Sequence, residues 1–160
     1  LKRANKLNKE INQLEWFMLR YPRHEEMQRF VSEINNFYLG NKELWEIDNS
    51  WDGYEWIETN QSDLNVISYK RMSIDRSELI VVVNFSPVYR EDYRVAVDKP
   101  GSYKEVLTTD EFRFGGNGLE NKGVIKTKTD PGKTNNYFEI NLPPYSGLIF
   151  RKSKGRVRRV

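Results

Sequence analysis

The 160-residue chain contains no cysteine and a single histidine. The missing thiols exclude disulfide staples, thiolate metal sites and cysteine nucleophiles, and they fit a reducing, cytoplasmic setting. A lone His24 has no partners with which to hold a metal, because zinc sites draw on three or four ligands. A thiolate or zinc site is therefore not expected. No apolar run approaches the ~20 residues that a membrane-spanning helix needs. The opening Leu1-Lys2-Arg3-Ala4-Asn5-Lys6 lacks both the apolar core of a signal peptide and an initiator methionine, so a piece of a longer protein is expected. No Gly-x-Ser-x-Gly elbow occurs. Gly115-Gly116-Asn117-Gly118 is not followed by Gly-Lys-Ser/Thr, so it reads as a permissive turn and not as a phosphate loop. Adjacent acids such as Glu91-Asp92 and Asp110-Glu111 point to opposite faces of a strand and make poor catalytic pairs. No catalytic residue is assigned.

What the chain does contain is enough apolar and aromatic matter to build a core: 38% hydrophobic and 13% aromatic residues over one domain's length. The net charge of +3 is concentrated at the end, where Arg151, Lys152, Lys154, Arg156, Arg158 and Arg159 crowd together. Clustered cations can contact phosphates. A solvated terminus explains them as well, and residues 152–160 are expected to be a disordered basic tail without a nucleic-acid role.

Two periodicities divide the rest. From Leu7 to Leu39 the pattern is helical, interrupted at Tyr21-Pro22 and stopped at Gly40-Asn41. Met27, Phe30, Val31, Ile34, Phe37 and Tyr38 recur at steps of three and four, which predicts one apolar stripe. Burying it would yield about 10 kcal/mol gross, so it needs a partner surface: the outer face of a sheet, another chain or a missing domain. We expect the missing domain. His24, at the opening of this helix, is expected to be structural.

From Trp51 onward the period is two. Strands are predicted at Tyr54–Ile57, Leu64–Lys70, Glu78–Phe85, Tyr93–Val97, Tyr103–Leu107, Gly123–Thr127, Tyr137–Leu142 and Gly147–Arg151. Turn chemistry separates them, as in Lys99-Pro100-Gly101 and Asp130-Pro131-Gly132. Short strands at this spacing predict a mainly β fold, an antiparallel β-sandwich. Leu79-Ile80-Val81-Val82-Val83 has no polar face and should be a central strand covered on both sides. The division is thus a helical segment over 1–40, a sandwich over 41–151 and the tail.

Trp45, Trp51, Tyr54 and Trp56 cluster where helix gives way to sheet. Tyr54 and Trp56 share one strand face. Such rings either plug an interface or offer flat surfaces to the C–H faces of sugars. Trp56, Tyr54 and Trp51 are the candidate glucan-binding residues, with Trp56 foremost.

Blocks of sequence, in order, carry a resemblance. Leu14-Glu15-Trp16-Phe17-Met18-Leu19, Tyr21-Pro22, His24 and Met27-Gln28-Arg29-Phe30-Val31 resemble the end of the catalytic barrel of the glycogen branching enzymes. Leu44-Trp45-Glu46-Ile47-Asp48 and Asp52-Gly53-Tyr54-Glu55-Trp56-Ile57 resemble that family's entry into its C-terminal domain. Asn84-Phe85-Ser86-Pro87-Val88 with Arg90, Lys99-Pro100-Gly101-Ser102-Tyr103, Thr109-Asp110, Phe114-Gly115-Gly116-Asn117-Gly118 and Leu142-Pro143-Pro144 continue the series. Leu1–Gln13 and the tail match poorly. The resemblance implies an α-amylase-type C-terminal domain preceded by one or two helices from the end of a (β/α)8 barrel. It implies a parent that cuts an α-1,4-glucan and transfers the segment to a 6-hydroxyl, forming α-1,6 branches in glycogen by a retaining double displacement. The Asp nucleophile, Glu acid/base and second Asp of that chemistry would lie upstream of Leu1, and the resemblance implies no metal or organic cofactor for it. The implied partners are an α-glucan and the missing barrel, packed on Met27, Phe30, Val31, Ile34 and Phe37, with self-association of the fragment as the alternative. A self-standing carbohydrate-binding module is the competing reading.

Overall fold

A computed structural model describes residues 16–58 and 62–153, so readings of Leu1–Gln13 and of the tail beyond Ser153 lie outside the described residues. A 3-10 turn at Trp16–Arg20 leads to helix α1, Pro22–Gly40. Pro22 sits in the first turn, where its missing N–H costs nothing, and Tyr21 before it is extended. At the far end the Asn41 side chain donates to the Phe37 carbonyl at 2.5 Å, closing the helix. Nine strands follow among the described residues: β1 Tyr54–Glu58, β2 Val66–Met72, β3 Glu78–Asn84, β4 Arg90–Val97, β5 Ser102–Thr108, β6 Ile125–Lys126, β7 Lys128–Thr129, β8 Asn136–Leu142 and β9 Ser146–Lys152. No helix among the described residues is long and apolar enough to cross a membrane.

All strand pairs are antiparallel, in a six-stranded sheet of order β1-β2-β3-β9-β5-β6 and a three-stranded sheet β4-β8-β7. The inner faces interdigitate as a sandwich does. Ile80 and Val82 from β3, Tyr103 from β5 and Phe150 from β9 meet Val95 from β4 and Phe138 and Ile140 from β8. Phe138 is the centre of this core, stacked on Tyr103 at 4.5 Å and edge-on to Phe150 at 5.3 Å. The unalternating strand β3 is central and covered on both sides. Leu79 and Val81, on the face away from the core, are buried, as are Ile80 and Val82 on the core face. Residues 41–48 lie over one end of that outer face. There Arg71 donates to the Leu44 carbonyl at 2.7 Å and pairs with Asp48, and Arg151 reaches Glu43 and Asn41.

Two expectations are corrected. The strand read at Gly123–Thr127 is broken: Ile125–Lys126 joins the large sheet and Lys128–Thr129 the small one. Thr127 is the crossing point. Its N–H and hydroxyl both bond the Gly101 carbonyl, while its hydroxyl oxygen accepts from the Gly101 N–H at 2.9 Å. The single helical stripe is also divided. Phe30 and Phe37, with Glu26 and Glu33, are half-buried, and Phe30 packs edge-on to Phe114 at 5.3 Å. Met27, Val31, Ile34 and Tyr38, each one residue further round, remain exposed. A shift of one residue turns a helix by about 100°, so two adjacent faces read as one in the sequence.

Two of the motif blocks prove to be scaffolding. The Asn84 side chain donates to the carbonyls of Val88 and Pro143, both at 2.9 Å. It accepts from the Ser86 N–H and hydroxyl at 3.0 and 2.8 Å. Arg90 donates to the Leu64 carbonyl at 2.8 Å. The glycine-rich loop wraps the buried Asp110, whose carboxylate accepts from the N–H groups of Asn117 and Leu119. A Cβ on Gly116 would meet the Asp110 backbone at 2.3 Å, so only glycine fits there.

Candidate functional site

The exposed aromatic surface lies on β1, the edge strand of the six-stranded sheet among the described residues. Tyr54 and Trp56 project from one face because alternate residues of a strand do so. The register places Trp56 opposite Tyr69 and Tyr54 opposite Arg71. Tyr69 therefore completes the group: it stacks on Tyr54 at 5.1 Å and meets Trp56 edge-on at 6.0 Å, while Tyr54 and Trp56 are 5.2 Å apart and perpendicular. Mutual packing holds the rings in place, yet Trp56 is 47% exposed. Burial raises the hydroxyl pKa of Tyr69 and of Tyr54, with nearby Arg71 opposing, so both remain neutral donors.

Trp51 stands in the 3-10 turn Trp51–Gly53 that feeds β1 and is 86% exposed, outside the ring contacts just described. The Ser50 hydroxyl caps this turn by accepting from the Asp52 N–H. Gly53 is obligatory, because a Cβ would meet the Ile47 carbonyl oxygen at 2.1 Å. The structure thus joins Tyr54 to Trp56, leaves Trp51 as a separate exposed ring at the start of the same strand, and adds Tyr69. Sequence reasoning missed Tyr69 because it belongs to another strand. Only the β1–β2 register brings it there.

Glu55, between the two rings, points the opposite way. Its carboxylate meets the Lys70 ammonium at 3.1 Å, and Asp98 bonds the same ammonium. Lys70 is buried on the core side of β2, opposite Ile80. Burial lowers its pKa, but the hydrogen bonds to Asp98 and Glu55 outweigh burial and hold it above the usual lysine value. His24 lies on the exposed side of α1, its ring 6.2 Å from that of Tyr21. Among the described residues no three His, Cys, Asp or Glu side chains converge as a metal site would require. The arrangement is an amphipathic cluster in which the stacked tyrosines and the edge-on Trp56 set tyrosine hydroxyls beside π faces.

The family-model match begins on β1, whereas the likeness to curated relatives covers most of the chain. Residues 56–153 match the family described as the alpha amylase C-terminal all-beta domain. The 1,4-alpha-glucan branching enzyme of Halothermothrix orenii is 37% identical over 86% of this chain and 22% of its own length. That of Aquifex aeolicus is 38% identical over 89% of this chain and 23% of the enzyme. That of Oceanobacillus iheyensis is 32% identical over 94% and 24%. The chain therefore spans less than a quarter of these relatives. The family match runs from the edge strand that carries the rings to the end of β9 and covers both sheets, so the chain belongs to the alpha amylase C-terminal all-beta domain family.

Proposed function

We propose that this chain is the C-terminal domain of a cytoplasmic 1,4-alpha-glucan branching enzyme, a structural and substrate-positioning part without catalytic groups of its own. The parent enzyme would transfer an α-1,4-glucan segment to a 6-hydroxyl, with its catalytic acids in the barrel. The observation that carries this reading is likeness to branching enzymes over 86–94% of the chain, helix α1 included, at 32–38% identity. Within it, Trp56 and Tyr54, steadied by Tyr69, would hold a glucan by stacking, with Trp51 as a further exposed ring. The exposed ridge Met27, Val31 and Ile34 would cover the catalytic barrel, while Phe30 and Phe37 secure the helix to the sandwich. Without the barrel the same ridge would favour self-association.

Native electrophoresis in gels cast with glycogen tests the ring face. The chain should be retarded, and Trp56→Ala should weaken binding about tenfold, the loss of one stacking anchor. Unretarded migration of the unaltered chain would refute glucan binding. Branching activity of the chain alone in an iodine-staining assay would refute the non-catalytic assignment. A self-standing α-glucan-binding module is the second reading, favoured by the half-exposed Trp56 on an edge strand. It requires that glycogen affinity be unchanged when the parent barrel is supplied in trans.

A further inference from the structure

The end of the sandwich beyond the Lys70 group opens into a cleft of about 860 Å3. It is bounded by the β2–β3 turn, the β4–β5 turn and the last residues of β9. Its lining is strongly ionic, with six cations (Lys42, Lys70, Arg76, Lys99, Arg151 and Lys152) against five carboxylates. Four of those carboxylates are already held. Glu55 and Asp98 engage Lys70, Asp75 engages Lys42, and Glu43 engages Arg151. The fifth, Glu78, accepts the Tyr103 hydroxyl at 3.2 Å. On the cationic side Arg76, Lys99 and Lys152 have no ion-pair partner among the described residues; Lys152 rests only over the Tyr103 ring at 5.9 Å. Six cations against five carboxylates leave the lining a net charge of +1, with the three unpaired cations on three separate elements.

Arg76 is held in a costly way. It occupies the left-handed region with φ 62°, where glycine is the usual residue in a hairpin turn. Asp75 locks that turn by accepting from the Ser73 hydroxyl at 2.5 Å and the Ser77 N–H at 3.1 Å, and Lys42 secures Asp75 at 2.6 Å. Non-glycine residues kept in this region tend to be those whose side chains have work to do. Below the cations, the Lys70 ammonium is nine-tenths buried and has three N–H donors, two of them spent on Glu55 and Asp98.

We propose that this cleft binds a small phosphorylated sugar. Arg76, Lys99 and Lys152 would take the phosphate, and the hydroxyls would meet Glu78, Ser77 and the outer oxygens of the Lys70-bound carboxylates. Guanidinium and ammonium groups converging on a tetrahedral anion form the strongest class of hydrogen bond available to side chains. The cleft is much larger than a lone phosphate, and beside the charged groups it presents the Ser77 hydroxyl, the Glu78 carboxylate and the apolar surface of Met72, Val97 and Tyr103, a mixture that the hydroxyls and C–H faces of a sugar can meet. It lies apart from the Trp56 face, because Glu55 points away from the rings on either side of it.

Titration of the full 160-residue chain with glucose 6-phosphate, inorganic phosphate and glucose, followed by amide NMR at low salt, tests the assignment. Saturable shifts are expected at Arg76, Lys99 and Lys152, with glucose 6-phosphate tighter than phosphate and no response to glucose. Lys99→Ala and Lys152→Ala should each weaken binding about tenfold, the loss of one charge-assisted contact. Replacing Lys154, Arg156, Arg158 and Arg159 by glutamine tests whether the tail takes the anion instead of the cleft, and Trp56→Ala, on the other face of β1, should leave affinity within about twofold. No saturable shift, an affinity unmoved by Lys99→Ala with Lys152→Ala, or binding that disappears with the tail charges would overturn the proposal. Equal response to unphosphorylated glucose would overturn it as well.

Discussion

Lys70 provides the sharpest test of how this sandwich balances its charges. Its side chain is only 5% exposed, whereas its partners Glu55 and Asp98 are 49% and 67% exposed. Removing the lysine therefore leaves two carboxylates that water can solvate. Removing the carboxylates leaves an ammonium in the core. A buried ion pair replaced by an apolar side chain of similar volume is often neutral for stability, while stranding one charge costs about 3–5 kcal/mol. Lys70→Met should accordingly lie within about 1 kcal/mol of the unaltered protein. Glu55→Ala with Asp98→Ala should lose about 3 kcal/mol, or roughly 6–12 °C in Tm for a chain of this size. Urea unfolding at pH 7 measures both. The pH dependence adds a second readout. Because the folded state raises the Lys70 pKa, its contribution is complete below the unfolded value of ~10.4 and is lost as pH climbs through the folded value. Tyr54, Tyr69 and Tyr103, also raised by burial, weaken the fold in the same alkaline range. They persist in Lys70→Met and cancel in the difference. The variant should thus lose less stability than the unaltered chain above pH 10. If Lys70→Met proves as damaging as the double alanine variant, the asymmetry argument fails.

Asn84→Ala should cost about 2 kcal/mol by calorimetry, because it strands the buried Ser86 N–H, removes the donor to the Val88 carbonyl and leaves the Pro143 carbonyl with the Ser146 hydroxyl alone. Unchanged stability would show that the Asn84 turn is held by its backbone alone. Glu105→Gln should raise Tm at pH 7. Burial lifts the Glu105 pKa against the two hydrogen bonds from Asn121, so the folded state binds more protons than the unfolded one and loses stability as pH rises from ~4.3 through the folded value. The gain should shrink as the pH approaches 4. A gain that is constant with pH would assign the effect to packing instead.

Much of the architecture was written locally. Alternation at Tyr93, Val95 and Val97 builds a strand with one buried face, and the apolar run from Leu79 to Val83 builds one with two. Pro22 begins the helix and Gly40-Asn41 ends it. These features rest on φ restrictions, side-chain period and turn chemistry acting within a few residues, so a reader of the chain can see them. The candidate site was legible in part: Tyr54 and Trp56 share a face because they are two apart.

Tertiary structure decided the rest, by setting side by side residues that the chain keeps far apart. Tyr69 joins the rings through strand register, and Lys70 gathers Glu55 from β1 and Asp98 from the turn after β4. Thr127 ends a strand early because Gly101 captures it from another loop. The helical stripe divides into a half-buried and an exposed face only once Phe114 has been brought against Phe30. Each of these outcomes depends on a pairing across a gap in sequence. Local periodicity states which way a side chain points, but not what will be there to meet it.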